Sequence, residues 1–180
     1  EVVNQDILKV DVKTLVNEKL DKGPVKLVAN LPYYITTPII MKLLDENPGF
    51  ESLVVMVQKE VADRLIANPG DKNCGAITYS VNYACSCEKV IDVPPEAFVP
   101  APKVWSSVIK LVVRENPPVD VLDKEHMFNL IKAAFSMRRK TLLNSLCSYF
   151  RLDKAKVSSL LEEIQLDPKV RPEKLTLEDF

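Results

Sequence analysis

Between Val25 and Ala67 the sequence alternates two kinds of apolar run, and that rhythm restricts the fold more than any other feature. The runs Val25-Lys26-Leu27-Val28-Ala29 and Leu53 to Val57 are short and rich in β-branched residues, as strands buried in a sheet are. Ile39, Ile40, Leu43 and Leu44 recur at helical spacing, as do Val61, Leu65 and Ile66 within Lys59 to Ala67. Thr36-Thr37-Pro38 reads as a helix start, with Thr at the cap and Pro in the first turn, and Asn47-Pro48-Gly49 ends that helix. Upstream, Val2-Val3 to Asp6-Ile7-Leu8 resembles the end of a strand, Val12 to Leu20 suits a short helix, and Gly23-Pro24 a turn. Strands separated by helices of this length imply an α/β fold, with a mostly parallel sheet covered on both faces.

The chain then changes character. Ala76 to Ala84 suits a helix, and Cys87 to Val93 a strand. Pro94 to Pro102 holds four prolines in nine residues, which excludes a regular element and requires a shaped loop. Trp105 to Val113 is β-rich, and its nearness to Cys87–Val93 suggests an antiparallel pair at one edge of the sheet. Asn116-Pro117-Pro118 marks a boundary, after which only helical patterns follow. Phe128, Ile131, Ala134 and Phe135 share one side of the first, Lys140 to Tyr149 forms a second, and Asp153 caps a third containing Val157, Leu160, Leu161 and Ile164. The expected division is therefore 1–116 as part of an α/β domain and 117–180 as a small all-α domain.

Composition removes several function classes. The 24 Lys and Arg nearly cancel the 25 Asp and Glu, so any nucleic-acid surface must come from local clustering. The four cysteines form no CxxC pair and there is one histidine, His126, so no zinc site is expected and the cysteines read as reduced thiols of a cytoplasmic protein. His126 has no ligand-like neighbours and reads as surface structure. No apolar run approaches the roughly 18–20 residues of a membrane span. The four glycines stand apart, so there is no glycine-rich phosphate loop.

The segment with chemical content is Asn30-Leu31-Pro32-Tyr33, directly after a buried-type strand. In α/β sheets ligands bind beyond the carboxyl ends of strands. These residue types suit the presentation of an exocyclic amine, whose lone pair is delocalised into a purine ring. A neutral amide oxygen (Asn30) and a backbone carbonyl (Leu31) accept its N–H groups. Pro32 stiffens the turn, and Tyr33 offers a flat face for stacking, worth roughly 1–3 kcal/mol per base. Asn-x-Pro also forms ordinary turns, and Tyr33-Tyr34 would serve a core.

Asn30-Leu31-Pro32-Tyr33 resembles motif IV of amino-directed methyltransferases that use S-adenosyl-L-methionine. Phe98 to Val108 (Phe98-Val99-Pro100-Ala101-Pro102-Lys103-Val104-Trp105-Ser106-Ser107-Val108) is similar to the F-x-P-x-P-K-V-x-S-x-V block of the ribosomal RNA adenine dimethyltransferases (KsgA type). Phe135-Ser136-Met137-Arg138-Arg139-Lys140-Thr141-Leu142 resembles that family's F-x-x-R-R-K-x-L signature, and Gln58 to Leu65 and Arg171 to Leu175 also match its pattern. The resemblance spans the chain, with its motifs in order. It implies a Rossmann-like methyltransferase sheet of which this chain is expected to be the C-terminal part, because the family's glycine-rich cofactor loop and its ribose-binding acid are not present. By itself the chain is expected not to turn over.

For the complete protein the resemblance implies dimethylation of N6 on two adjacent adenines near the 3′ end of small-subunit ribosomal RNA, in an immature 30S particle, with S-adenosyl-L-methionine as methyl donor. Asn30 and the Leu31 carbonyl would orient the amine. Tyr33 and Phe98 would stack on opposite faces of the flipped adenine, and Asp6 and Asn30 would contact the cofactor. A monomer is expected, with no metal.

Phe98 between prolines also suits a buried loop anchor, and Trp105 suits packing at the sheet edge. Lys132 to Lys156 carries seven cations (Lys132, Arg138, Arg139, Lys140, Arg151, Lys154, Lys156) against Asp153, whereas 157–180 carries six acidic and three basic residues. A charge run is often only a solvated face. At the opening of the helical domain, Lys132, Arg138, Arg139 and Lys140 are candidate RNA contacts, and Lys103 is another. Two alternatives stand beside the leading one: a large-subunit adenine methyltransferase of the macrolide-resistance type, and a non-catalytic RNA- or DNA-binding factor on the same fold. A pure binder has no need to hold an adenine amine.

Overall fold

The computed structural model describes residues 1–20 and 23–180, which form two compact units. The first comprises Glu1–Ile66 and Ala84–Asn116. It contains α1 (Val12–Lys19), β1 (Val25–Asn30), α2 (Thr36–Glu46), β2 (Phe50–Gln58), α3 (Lys59–Leu65), β3 (Cys85–Val93) and β4 (Ser106–Val113). The sheet runs β1-β2-β4-β3. Only β1 and β2 are parallel, while β4 pairs antiparallel with both β2 and β3.

That corrects the mostly parallel sheet expected from the βα rhythm. The antiparallel β3–β4 pair is present, but β4 docks directly on β2. Its inward residues Ile109 and Leu111 are fully buried, as are Leu53, Val55 and Val57 of β2, so the apolar centre lies between these two strands. Nor is the sheet covered on both faces at β1, where Lys26, Val28 and Asn30 are exposed in strict alternation. Asp6 to Leu8 is a turn and not a strand end: the Asp6 carboxylate accepts the Leu8 N–H at 3.0 Å. Downstream, Asp11 caps α1 by accepting the Thr14 N–H at 2.9 Å.

The second unit comprises Ala67–Tyr83 and Pro117–Phe180. Its regular elements are helical: α4 (Ala76–Ala84, whose last residue leads into β3), α5 (Lys124–Ala134), α6 (Leu142–Phe150) and α7 (Lys154–Glu163). Asp123, Thr141 and Asp153 cap the last three. Ala133, Ala134, Leu142, Leu143, Leu146, Val157, Leu161 and Leu175 make its core. The first unit closes at Asn116, but 67–83 belongs to the helical unit. Tyr79 explains this. Its ring is 1% exposed, packs edge-on to Phe180 at 5.2 Å, and its hydroxyl donates toward the carbonyls of Leu175 (2.6 Å) and Pro172 (3.1 Å). No helix among the described residues is long and apolar enough to cross a membrane.

Candidate active site at the tip of the sheet

β1 and β2 run parallel, β4 runs against them, and β3 runs against β4. The C-terminal ends of β1, β2 and β3 and the N-terminal start of β4 therefore share one edge of the sheet. Asn30, Gln58, Val93 and Ser106 mark it. The Asn30–Tyr33 segment and the proline-rich 94–105 loop both issue from this edge, so the topology brings together two segments that lie far apart in sequence.

Asn30 ends β1 opposite Met56, and the Leu31 N–H donates to the Met56 carbonyl at 3.1 Å, extending the parallel ladder by one residue. Leu31 buries its side chain, and Asn30 is exposed, its amide without a hydrogen bond among the described residues. Pro32 holds φ −59 and ψ 128, turning the chain out of the strand. Thr36 is not the helix cap expected from the sequence. It is the first residue of α2, buried, and its hydroxyl donates to the Pro32 carbonyl at 3.0 Å. The cap position is Ile35, after a single 3-10 turn over Tyr33–Ile35. The ledge is thus fixed from both sides, by β2 behind it and by α2 ahead.

Tyr33 is half-buried, and its hydroxyl lies 2.5 Å from Ser106 Oγ. Ser106 pairs with Gln58 across the β2–β4 ladder, so the phenol spans the end of β2 and ends at the base of the 94–105 loop. Tyr34 points to solvent, 85% exposed. In the loop, Pro95–Ala97 makes a 3-10 turn and the Phe98 N–H closes it on the Pro95 carbonyl at 3.1 Å. Phe98 is half-buried, between the exposed Ala97 and Val99. Lys103 is exposed without a carboxylate within 4.0 Å among the described residues, and Trp105 lies just before β4, half exposed.

Ser106, Ser107, Lys59 and Asp92 belong to this edge, and no role was assigned to them from sequence. The visible signal was a pair of small hydroxyl residues opening an otherwise apolar strand. Asp92 accepts the Ser107 hydroxyl at 2.6 Å and the Lys59 ammonium at 3.0 Å. The Ser107 bond, then Lys59, holds its carboxyl at about 2, well below the ordinary range. The thiols do the opposite. Burial pushes Cys85 up to about 11 and Cys87 to about 12, so neither is a ready nucleophile.

Asp6 lies in the turn before α1. One carboxylate oxygen takes the Leu8 N–H, and the other remains to accept a ligand donor. Lys132 lies in the last turn of α5, and Arg138, Arg139 and Lys140 lie in the turn before α6, with Arg139 at φ 62. All four are exposed, and none has a carboxylate within 4.0 Å among the described residues. His126 is exposed in the first turn of α5, its N–H on Asp123.

All 180 residues match the family described as ribosomal RNA adenine dimethylase. A ribosomal RNA small subunit methyltransferase A of Clostridioides difficile is 53% identical over 180 residues, covering 100% of this chain and 62% of that protein. The protein of the same name from Bacillus cereus is 45% identical, over 99% of this chain and 63% of its own length. The chain thus spans about 62% of the length of the curated relatives it matches. Among solved structures, a dimethyladenosine transferase from Plasmodium falciparum superposes with a TM-score of 0.74 at 30% identity, over 99% of this chain and 69% of that one. The 23S rRNA methyltransferase ErmE, at 24% identity and a TM-score of 0.62, shares the fold. A sheet whose strand tips carry an amide–proline–aromatic ledge beside a proline-stiffened loop agrees with these matches, and the chain belongs to the ribosomal RNA adenine dimethylase family.

Proposed function

We propose that the whole protein transfers methyl groups to N6 of two adjacent adenines near the 3′ end of small-subunit ribosomal RNA, leaving each dimethylated, during assembly of the 30S particle in the cytoplasm. The observation that carries this reading is the Asn30–Tyr33 ledge, held at the sheet tip by Leu31 on β2 and by Tyr33 on Ser106.

S-adenosyl-L-methionine, when bound, supplies an electrophilic methyl on a sulfonium. From this chain, Asp6 and Asn30 would help hold it. The free oxygen of Asp6 is an acceptor suited to an amino group, and the Asn30 amide both donates and accepts. At the target base, the Asn30 oxygen and the Leu31 carbonyl accept the two N–H bonds of the exocyclic amine. This orients its lone pair out of the ring plane and stabilises positive charge developing on nitrogen. Tyr33 and Phe98 stack on the extruded purine, repaying the few kcal/mol lost on leaving the helical stack. Lys103 and the exposed cations at 132 and 138–140 meet phosphates. Because a cation already paired with a carboxylate releases fewer counterions, their lack of carboxylate partners among the described residues favours this use.

Labelled-methyl incorporation by the full-length protein into immature 30S and 50S particles tests the reading. Label is expected in 30S alone, and Asn30→Ala is expected to abolish it while RNA affinity stays within a few-fold. Label in 50S particles, or full turnover by Asn30→Ala, overturns it.

A further inference from the structure

The Gln58–Leu65 block takes no part in the proposed chemistry, yet its second residue grips both stems of the loop that carries Phe98. Lys59 opens α3. Its backbone N–H donates to the Trp105 carbonyl at 2.9 Å, on the residue just before β4. Its ammonium donates to Asp92 Oδ2 at 3.0 Å, on the next-to-last residue of β3. Asp92 in turn accepts the hydroxyl of Ser107, its register partner in β4, through Oδ1 at 2.6 Å. Lys89 shares Oδ2 at 3.3 Å, and Asp63 stands 3.6 Å from the Lys59 ammonium. The 94–105 segment is therefore tied at each end to one lysine.

The pair adds little by attraction alone, because the Lys59 and Asp92 side chains are 37% and 32% exposed and water screens them. Its value is geometric. Between the stems the loop contains Pro94, Pro95, Pro100 and Pro102, which fix φ and leave a stiff arm. Its base sets the direction of such an arm, so a small rotation there displaces Phe98 by more. Misplacement of a positioning group by about 1 Å can cost on the order of a hundredfold in rate.

We propose that Lys59 and Asp92 are positioning residues for the target base, clamping the two stems of the 94–105 loop so that Phe98 meets the purine in register with the Asn30 ledge. This rests on the reading of that ledge as an adenine site.

The test uses the full-length protein and radiolabelled methyl transfer to immature 30S particles. Lys59→Met and Asp92→Asn are each expected to lower kcat about tenfold or more, with RNA and cofactor affinities within about twofold, and Lys59→Arg to restore most of the rate. Asp92→Asn keeps the size of the side chain, so a folding defect in Lys59→Met does not remove the test. Phe98→Ala is expected to lose about ten- to a hundredfold, leaving measurable turnover. In that background Lys59→Met should cost nothing further, because the clamp acts through the ring. Multiplicative losses, or Asp92→Asn at the wild-type rate, overturn the clamp. Wild-type turnover by Phe98→Ala would instead overturn the adenine-site reading itself.

Discussion

Tyr33 and Ser106 meet oxygen to oxygen, 2.5 Å apart, across the end of β2. Ser106 is fully buried, so this phenol is what satisfies its hydroxyl. Tyr33→Phe keeps the stacking face but orphans a buried hydroxyl, with an expected loss of about 1–3 kcal/mol in urea unfolding. Adding Ser106→Ala should recover most of that loss, since removing both partners removes the unsatisfied group. Turnover should fall only a few-fold in Tyr33→Phe and about a hundredfold in Tyr33→Ala, which loses the ring as well. Equal stability of the single and double variants would show that the contact is not a satisfied pair.

Much of this edge was legible in the sequence because local rules decide it. A β-branched run ending in Asn-x-Pro locates a strand tip, and the prolines of 94–102 exclude a strand or an α-helix there, though not the single 3-10 turn over Pro95–Ala97. The cap at Asp153 follows from side-chain chemistry alone, its carboxylate accepting the Lys156 N–H. What the sequence concealed depends on pairing across distance. The preference of β4 for β2 follows from a ladder between residues some fifty apart. Tyr79, in an apolar helix pattern, gives no hint that its hydroxyl reaches carbonyls more than ninety residues away. Thr36 follows the capping pattern and yet turns inward, because the Pro32 carbonyl lies within its reach.

The basic turn before α6 should dominate the salt dependence of RNA binding. Arg138, Arg139 and Lys140 are exposed without carboxylate partners among the described residues, so each can release a counterion on meeting a phosphate. Replacing all three by Ala is expected to weaken binding and to flatten the slope of log affinity against log salt by about two to three. Fluorescence anisotropy titrations across a series of salt concentrations check this. An unchanged slope would mean that the turn faces away from RNA.

Tyr79 anchors 67–83 to the helical unit. Tyr79→Phe retains both aromatic contacts but withdraws the donor from the carbonyls of Leu175 and Pro172, with an expected loss of about 1–3 kcal/mol. Amide hydrogen exchange should accelerate first in the segment around Pro172–Lys174. Methyl transfer is expected to persist wherever the protein remains folded. A variant of wild-type stability would assign the anchoring to the ring alone.

Asp92 gives the first unit a pH signature. Its carboxyl is held at about 2 against an ordinary 3.8, chiefly by the Ser107 hydroxyl and then by Lys59. A carboxyl depressed in the folded state stabilises wherever it is ionised in both states. Its contribution is therefore complete above about 3.8 and disappears as pH falls toward about 2. The stability gap between the wild-type protein and Asp92→Asn should hold steady from neutral pH down to about 4, then close over the next two units, read as urea midpoints at successive pH values. Ser107→Ala, which removes the largest cause, should move the Asp92 titration upward in carboxyl NMR and shift that closing window to higher pH. A gap independent of pH across this range would mean that Asp92 gains nothing from Ser107 and Lys59.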